Sequence, residues 1–249
     1  MERSKLEEIK LHKKLAKGYE SKREKNKLSS YYNKVWLKTM LDVIDRKPKN
    51  ILDYGCGTCL FYQGIKKRFN NSDYTGVDIS QDMLNIAKKR YGKIRLICGD
   101  CENLPIKKES FDFVIGRGIL HHLPNPKKGV SEIQRVLKKD GYAVICDTTK
   151  NPIFAILRNI SKKTGHFSKT HKSFKKTELH NLFKANNLKI VKRIPWGFLA
   201  YPFAFPDIIE FKFMPYIIFK MLVKIDLILS KIPIINNFSW QEIILAKKV

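Results

Sequence analysis

Ile51-Leu52-Asp53-Tyr54-Gly55-Cys56-Gly57-Thr58-Cys59 decides the fold. A short apolar run reaches an acid and then two glycines spaced by one residue. This is how a buried parallel strand ends in a tight turn whose backbone can approach a ligand. A second apolar run, Tyr74-Thr75-Gly76-Val77, ends in Asp78, where a carboxylate can accept from both hydroxyls of a ribose. Together the two segments predict a site for an adenosine-containing cofactor. A dinucleotide fold is the competing reading of such a turn. Its G-x-G-x-x-G fingerprint is broken here, because Leu60 stands three residues after Gly57.

The alternation continues outward from that turn. Ile94–Cys98 predicts a third strand ending in Gly99-Asp100, and Phe111–Gly116 a fourth followed by Leu120-His121-His122-Leu123-Pro124. A helix near 127–139 and a strand at Tyr142–Cys146 come next. This succession resembles the seven-stranded, Rossmann-like class of S-adenosylmethionine-dependent methyltransferases, in particular their small-molecule, type 11-like branch. The resemblance covers roughly 30–150 well and 173–195 more loosely. It implies an α/β fold with an open, mostly parallel sheet, helices on both faces, an antiparallel final strand and a helical insertion before that strand. That class carries a third glycine where this chain has Cys59.

The resemblance also implies roles. Gly55, Cys56 and Gly57 form the turn that approaches the methionine part of S-adenosylmethionine, with Asp53 beneath it towards the amino group. Asp78 holds the ribose hydroxyls, while Ile79 and Met83 flank the adenine. Asp100 accepts from the adenine amino group with the Cys101 backbone beside it, and Arg117 and Gly118 border the methyl donor. Methyl transfer needs a base only when the acceptor is a hydroxyl or a protonated amine. Of the two adjacent histidines, His121 is the expected base and His122 a packing residue. His166 and His171, in the basic connection 150–172, are further candidates to reach the pocket.

The 49 Lys and Arg against 23 Asp and Glu give a net charge of +26, a field that attracts anionic lipid or RNA. Nucleic acid is not favoured. No basic groove with interleaved aromatics stands out, and Gly116-Arg117-Gly118 occupies the place where amino-methylating nucleic-acid enzymes of the class carry an Asn/Asp-Pro-Pro-Tyr-type motif. The cysteines are scattered. Cys98 and Cys101 make a C-x-x-C across a strand end, but free thiols in a reducing cytoplasm are expected rather than zinc or redox use. The amino terminus reads as charged helix without a secretory h-region, which points to a cytoplasmic protein.

Four sections follow: a lysine- and glutamate-rich stretch 1–28, a helix over 29–47 ended by Pro48, a cofactor half 48–149, and an individual part 150–249. Residues 1–47 form a helical cap on a domain running 48–249. Phe238–Ala246 is expected to be the last strand. Before it, about 197–237 is a strongly apolar insertion. In a helix, Lys220, Lys224 and Lys231 share one face with a wide apolar face opposite. This fits a lid over an apolar or lipid-linked small-molecule substrate, and equally an interfacial helix on an anionic membrane. Asp226, among apolar residues, reads as a pocket carboxylate or a lysine partner. O-methylation is slightly favoured because a histidine is at hand; an RNA methyltransferase and a non-catalytic cofactor-binding protein are the alternatives.

Overall fold

The computed structural model describes residues 5–7, 9–10, 25–151, 173–205 and 214–249. The expectations for His166 and His171, and for most of 1–28, lie outside these residues. Seven strands form one sheet in the order β3-β2-β1-β4-β5-β7-β6. They are β1 Asn50–Tyr54, β2 Asp73–Asp78, β3 Arg95–Cys98, β4 Phe111–Arg117, β5 Leu137–Thr148, β6 Leu188–Trp196 and β7 Gln241–Lys248. β1 to β5 pair in parallel, and β7 runs antiparallel between β5 and β6. The strands flanked on both faces read as near-continuous apolar runs, as burial on both sides requires.

Helices begin where the sequence supplies caps. Asn26 accepts from the N–H groups of Leu28 and Ser29 at the start of α1, Lys27–Leu41. Its buried face includes Tyr32, Trp36, Leu37 and Met40 at helical spacing. α2 spans Tyr62–Arg68. Ser80 caps α3, Gln81–Tyr91, which Gly92 closes at φ 63°. Asn125 and Pro126 open α4, Pro126–Val136. α5 is Lys176–Lys184, where Glu178 reaches back to accept the Lys175 N–H at 2.7 Å.

Several expected boundaries are corrected. α1 ends at Leu41, before Pro48, because Asp42 and Ile44 close its last turn. β5 begins at Leu137 and runs two residues past Cys146, since β7 continues to pair with Asp147 and Thr148. β7 begins at Gln241 rather than Phe238, because Pro233–Phe238 form a 3₁₀ turn.

Between β6 and β7 lie the short α6, Tyr201–Ala204, and α7, Tyr216–Leu229. They pack on α1 through an aromatic cluster. Tyr32 meets Trp36, Trp196, Tyr201, Phe205 and Phe219 at centroid separations of 5.5–6.4 Å. The core thus has one layer under the α1 side and a second formed around α4 and α5.

Candidate active site

The parallel strands deliver their carboxyl ends to one edge of the sheet, and the order reverses between β1 and β4, where open α/β sheets bind ligands. After β1 the chain turns through Gly55 at φ 71°, Gly57 at φ 53° and Cys59 at φ 54°. The N–H groups of Gly55 and Cys56 both reach the Val77 carbonyl at 2.9 Å, tying the turn to β2. A side chain on Gly55 would strike Ile119 at 2.7 Å, whereas the space above Gly57 is open.

Asp78 is buried at the end of β2. Its carboxylate accepts from the Gly57 N–H at 2.8 Å and from the Ser80 N–H at 2.9 Å, so it is fixed rather than swinging. Asp53 lies beneath the turn and accepts from the Tyr74 hydroxyl at 2.6 Å. Burial pushes its pKa up to about 6, with Asp78 adding to the rise; the Tyr74 bond and Arg117 oppose it.

One cavity brings together Gly55, Asp78, Ile79, Asp100 and Cys101, joined by Lys5, Ile119, His122, Leu123 and Pro124. Its floor is held by residues that the sequence reading passed over. The Tyr54 hydroxyl donates to the Cys101 carbonyl at 2.6 Å. Glu132 accepts the Leu104 N–H at 2.7 Å while Arg135 holds the carbonyls of Leu104 and Ile106. Lys5 places its ammonium 2.6 Å from Asp100 and 2.7 Å from Glu102.

Asp53, Cys56, Gly57, Met83, Arg117, Gly118 and His121 are outside that lining. Met83 is buried at the start of α3. The Arg117 guanidinium stacks 4.4 Å from the Phe61 ring centroid and 4.7 Å from that of Trp36 and donates to Asn33 at 2.6 Å. The two histidines have different surroundings. His122 lines the cavity, while His121 is 6% exposed and pairs through Nδ1 with Asp147 at 2.6 Å. Both lie on a 3₁₀ turn, Leu120–His122, with their ring centroids 4.1 Å apart, and the residue following Cys146 meets His121.

Asp226 is neither a pocket carboxylate nor a lysine partner. It accepts the N–H groups of Phe198, Leu199 and Ala200 at 2.9, 2.8 and 3.2 Å, clamping the start of the insertion. Burial raises its pKa against those bonds. Cys56 and Cys59 form a second C-x-x-C, both thiols buried and free. Among the described residues no group of three His, Cys, Asp or Glu is placed to hold a metal.

The residues present fit S-adenosylmethionine. An open space stands over Gly57, a fixed carboxylate ends β2, and the buried Thr58 hydroxyl has no hydrogen-bond partner among the described residues. Residues 52–145 match the family model of a methyltransferase domain. Over those residues the chain is similar to the methyltransferase domain, and its sheet order is that of the seven-stranded, Rossmann-like class of S-adenosylmethionine-dependent methyltransferases. The demethylmenaquinone methyltransferases of Staphylococcus haemolyticus and Staphylococcus aureus are similar in sequence. They are 34% identical over 143 residues (55% of this chain, 59% of the relative) and 33% over 152 residues (59% and 61%). The chain therefore spans about three-fifths of the length of these curated relatives. In fold it is similar to a Thermotoga maritima methyltransferase described as a possible histamine N-methyltransferase. The TM-score is 0.68 at 20% identity, over 96% of this chain and 99% of that one. Geranyl diphosphate C-methyltransferase from Streptomyces coelicolor superposes with a TM-score of 0.62 at 16% identity, over 87% and 79%.

Proposed function

We propose that this chain methylates an apolar, lipid-like small molecule at a hydroxyl-bearing ring or chain, using S-adenosylmethionine at the surface of an anionic membrane. The observation that carries the proposal is the convergence of Gly55, Asp78, Ile79, Asp100 and Cys101 on one cavity, in a chain that also carries an apolar insertion. When bound, the cofactor supplies a methyl group on a positively charged sulfur. The chain's own contribution is to bind and orient. Asp78 receives the ribose hydroxyls, Asp100 the adenine amino group, and Asp53, beneath the turn, faces the amino group of the methionine part. Alignment of the acceptor then supplies much of the acceleration.

His121 takes the proton of the acceptor hydroxyl. Such deprotonation serves O-methylation directly and also activates the carbons of an electron-rich ring, so it suits a quinol-like acceptor. The names of the staphylococcal relatives favour such a substrate. Residues 1–47 cap a domain running 48–249, with 197–237 covering the acceptor.

The outward side of α7 supports a place at the membrane. Phe219, Val223 and Asp226 face inward, while Ile217, Met221 and Ile228 are 57–69% exposed and Lys224 flanks them. The helix is thus apolar on two sides, not on one side opposite its lysines as expected. Burying an outer apolar stripe in the headgroup region and seating its lysines at the phosphates is how an interfacial helix binds. No helix among the described residues is long and apolar enough to cross a membrane. The reading is of a cytoplasmic protein peripheral to that surface.

Incubating the protein with methyl-labelled S-adenosylmethionine and, in parallel, a bacterial lipid extract or total RNA tests the proposal. Label is expected in an apolar, ultraviolet-absorbing product, with the methylated atom fixed by NMR. Label recovered in RNA instead would favour the nucleic-acid alternative and overturn this reading.

A further inference from the structure

Asp147 has no part in the cofactor contacts set out above, yet it is a fully buried carboxylate. Leaving such a group charged in the interior is costly unless its oxygens are satisfied. Here each oxygen is. Oδ2 accepts the Leu120 N–H at 2.7 Å. Oδ1 accepts the Thr148 N–H at 2.7 Å and lies 2.6 Å from His121 Nδ1. Burial works to raise its pKa, but the imidazole and the two backbone donors hold it below the usual carboxylate range. The sheet fixes the place of this pair. Cys146 is the register partner of Arg117 at the end of β4, so the next residue of β5 stands against the turn that carries His121. That turn begins just after Gly118, and a side chain on Gly118 would meet His121 Cε1 at 3.4 Å.

We propose that Asp147 is a positioning residue that holds His121 with its proton on Nδ1, leaving Nε2 as the nitrogen that accepts the acceptor's proton. This rests on the functional reading above, which makes His121 the base. A deprotonated carboxylate only accepts, so a 2.6 Å contact requires Nδ1 to donate. Nε2 is then the basic atom of the neutral ring. As the acceptor's O–H bond breaks, its proton passes to Nε2 and its electron pair stays on the oxygen. The imidazolium so formed lies against the negative charge of Asp147, and the proton leaves to solvent afterwards. The His122 ring centroid is 4.1 Å from that of His121. Glu242, across the β5–β7 register from Asp147, is itself engaged by His180 at 2.6 Å.

The test uses the full chain labelled with ¹⁵N at its six histidines. His121→Gln assigns the His121 signals. Two-bond proton–nitrogen spectra, taken where the ring is neutral, are expected to show a pyrrole-type Nδ1 and a pyridine-type Nε2. In Asp147→Asn the tautomers should mix. Turnover should fall about 10²–10⁴-fold, the size of effect expected when a general-base histidine loses the carboxylate that sets its tautomer, with cofactor affinity kept. A pyrrole-type Nε2 in the unaltered protein overturns the proposal, whether or not Asp147→Asn folds. The tautomer decides the positioning role, and product formation separately decides the methyltransferase reading.

Discussion

Asp53 and Cys59 show how single residues set the behaviour of the glycine turn. The Asp53 carboxyl has its pKa raised to about 6, first by burial, against about 4 in an unfolded chain. The native state therefore binds the extra proton between these values, and the apo protein loses stability as pH rises through that window. A cofactor ammonium beside Asp53 would restore the charged form, so binding should release a proton below pH 6. We expect affinity for the demethylated cofactor to fall about tenfold per pH unit below 6. Titration calorimetry in buffers of differing ionisation enthalpy measures both quantities, and equal affinity at pH 5 and 7 would refute the placement of the amino group. Cys59 occupies the left-handed region at φ 54° with its side chain wholly buried. Glycine there would remove about 1–2 kcal/mol of strain and forfeit a comparable amount of packing. Cys59→Gly should thus melt near the parent and bind cofactor within a few-fold of it. Loss of turnover with binding intact would instead mark the thiol as chemical.

At the level of elements, two contacts join segments distant in sequence. Lys5 seats its ammonium on Asp100, the carboxylate proposed for the adenine amino group, and on Glu102. Cofactor and Lys5 thus compete for one acceptor, and Lys5→Ala should bind the cofactor several-fold more tightly. Weaker binding by that variant would make Lys5 part of the adenine site. Asp226 joins α7 to the chain after β6 by three backbone bonds. Asp226→Ala leaves these donors without their acceptor and should cost about 1–3 kcal/mol, read as a lower urea midpoint. An unchanged midpoint would show that the insertion's start is held by aromatic packing alone.

Over the whole molecule, a net charge of +26 sets a long-range attraction to anionic surfaces, and the outer side of α7 offers one apolar place to land. Each lysine near an anionic bilayer contributes about 1 kcal/mol, and the interaction weakens as salt shortens the screening length. Sedimentation with anionic vesicles at low salt should remove the protein from solution. Changing Lys220, Lys224 and Lys231 together to glutamate should return it, with cofactor binding unaltered. Protein left in the supernatant with anionic lipid in excess would confine the insertion to covering an apolar substrate.

The sequence by itself determined the strand ends that carry the proposed cofactor residues. Apolar runs closed by Asp, Gly-x-Gly and Gly-Asp are local signals, and parallel strands bring such ends to one edge wherever they lie in the chain. It also determined the apolar insertion, whereas the antiparallel direction of the final strand was implied by the resemblance to the methyltransferase class and not by the strand's own residues. Only the tertiary structure decided which groups meet across the chain. Asp147 was passed over because the fifth strand reads as ending at Cys146; its extension exists through pairing with β7, about a hundred residues on. The Lys5 contact with Asp100 spans 95 positions. The orientations of His121 and His122 follow from a 3₁₀ turn that leaves no periodic trace. The role of Asp226 follows from backbone donors that face it only once α7 has docked. Hydrophobic spacing records which face of an element is buried, and it carries no record of which polar group waits on the other side.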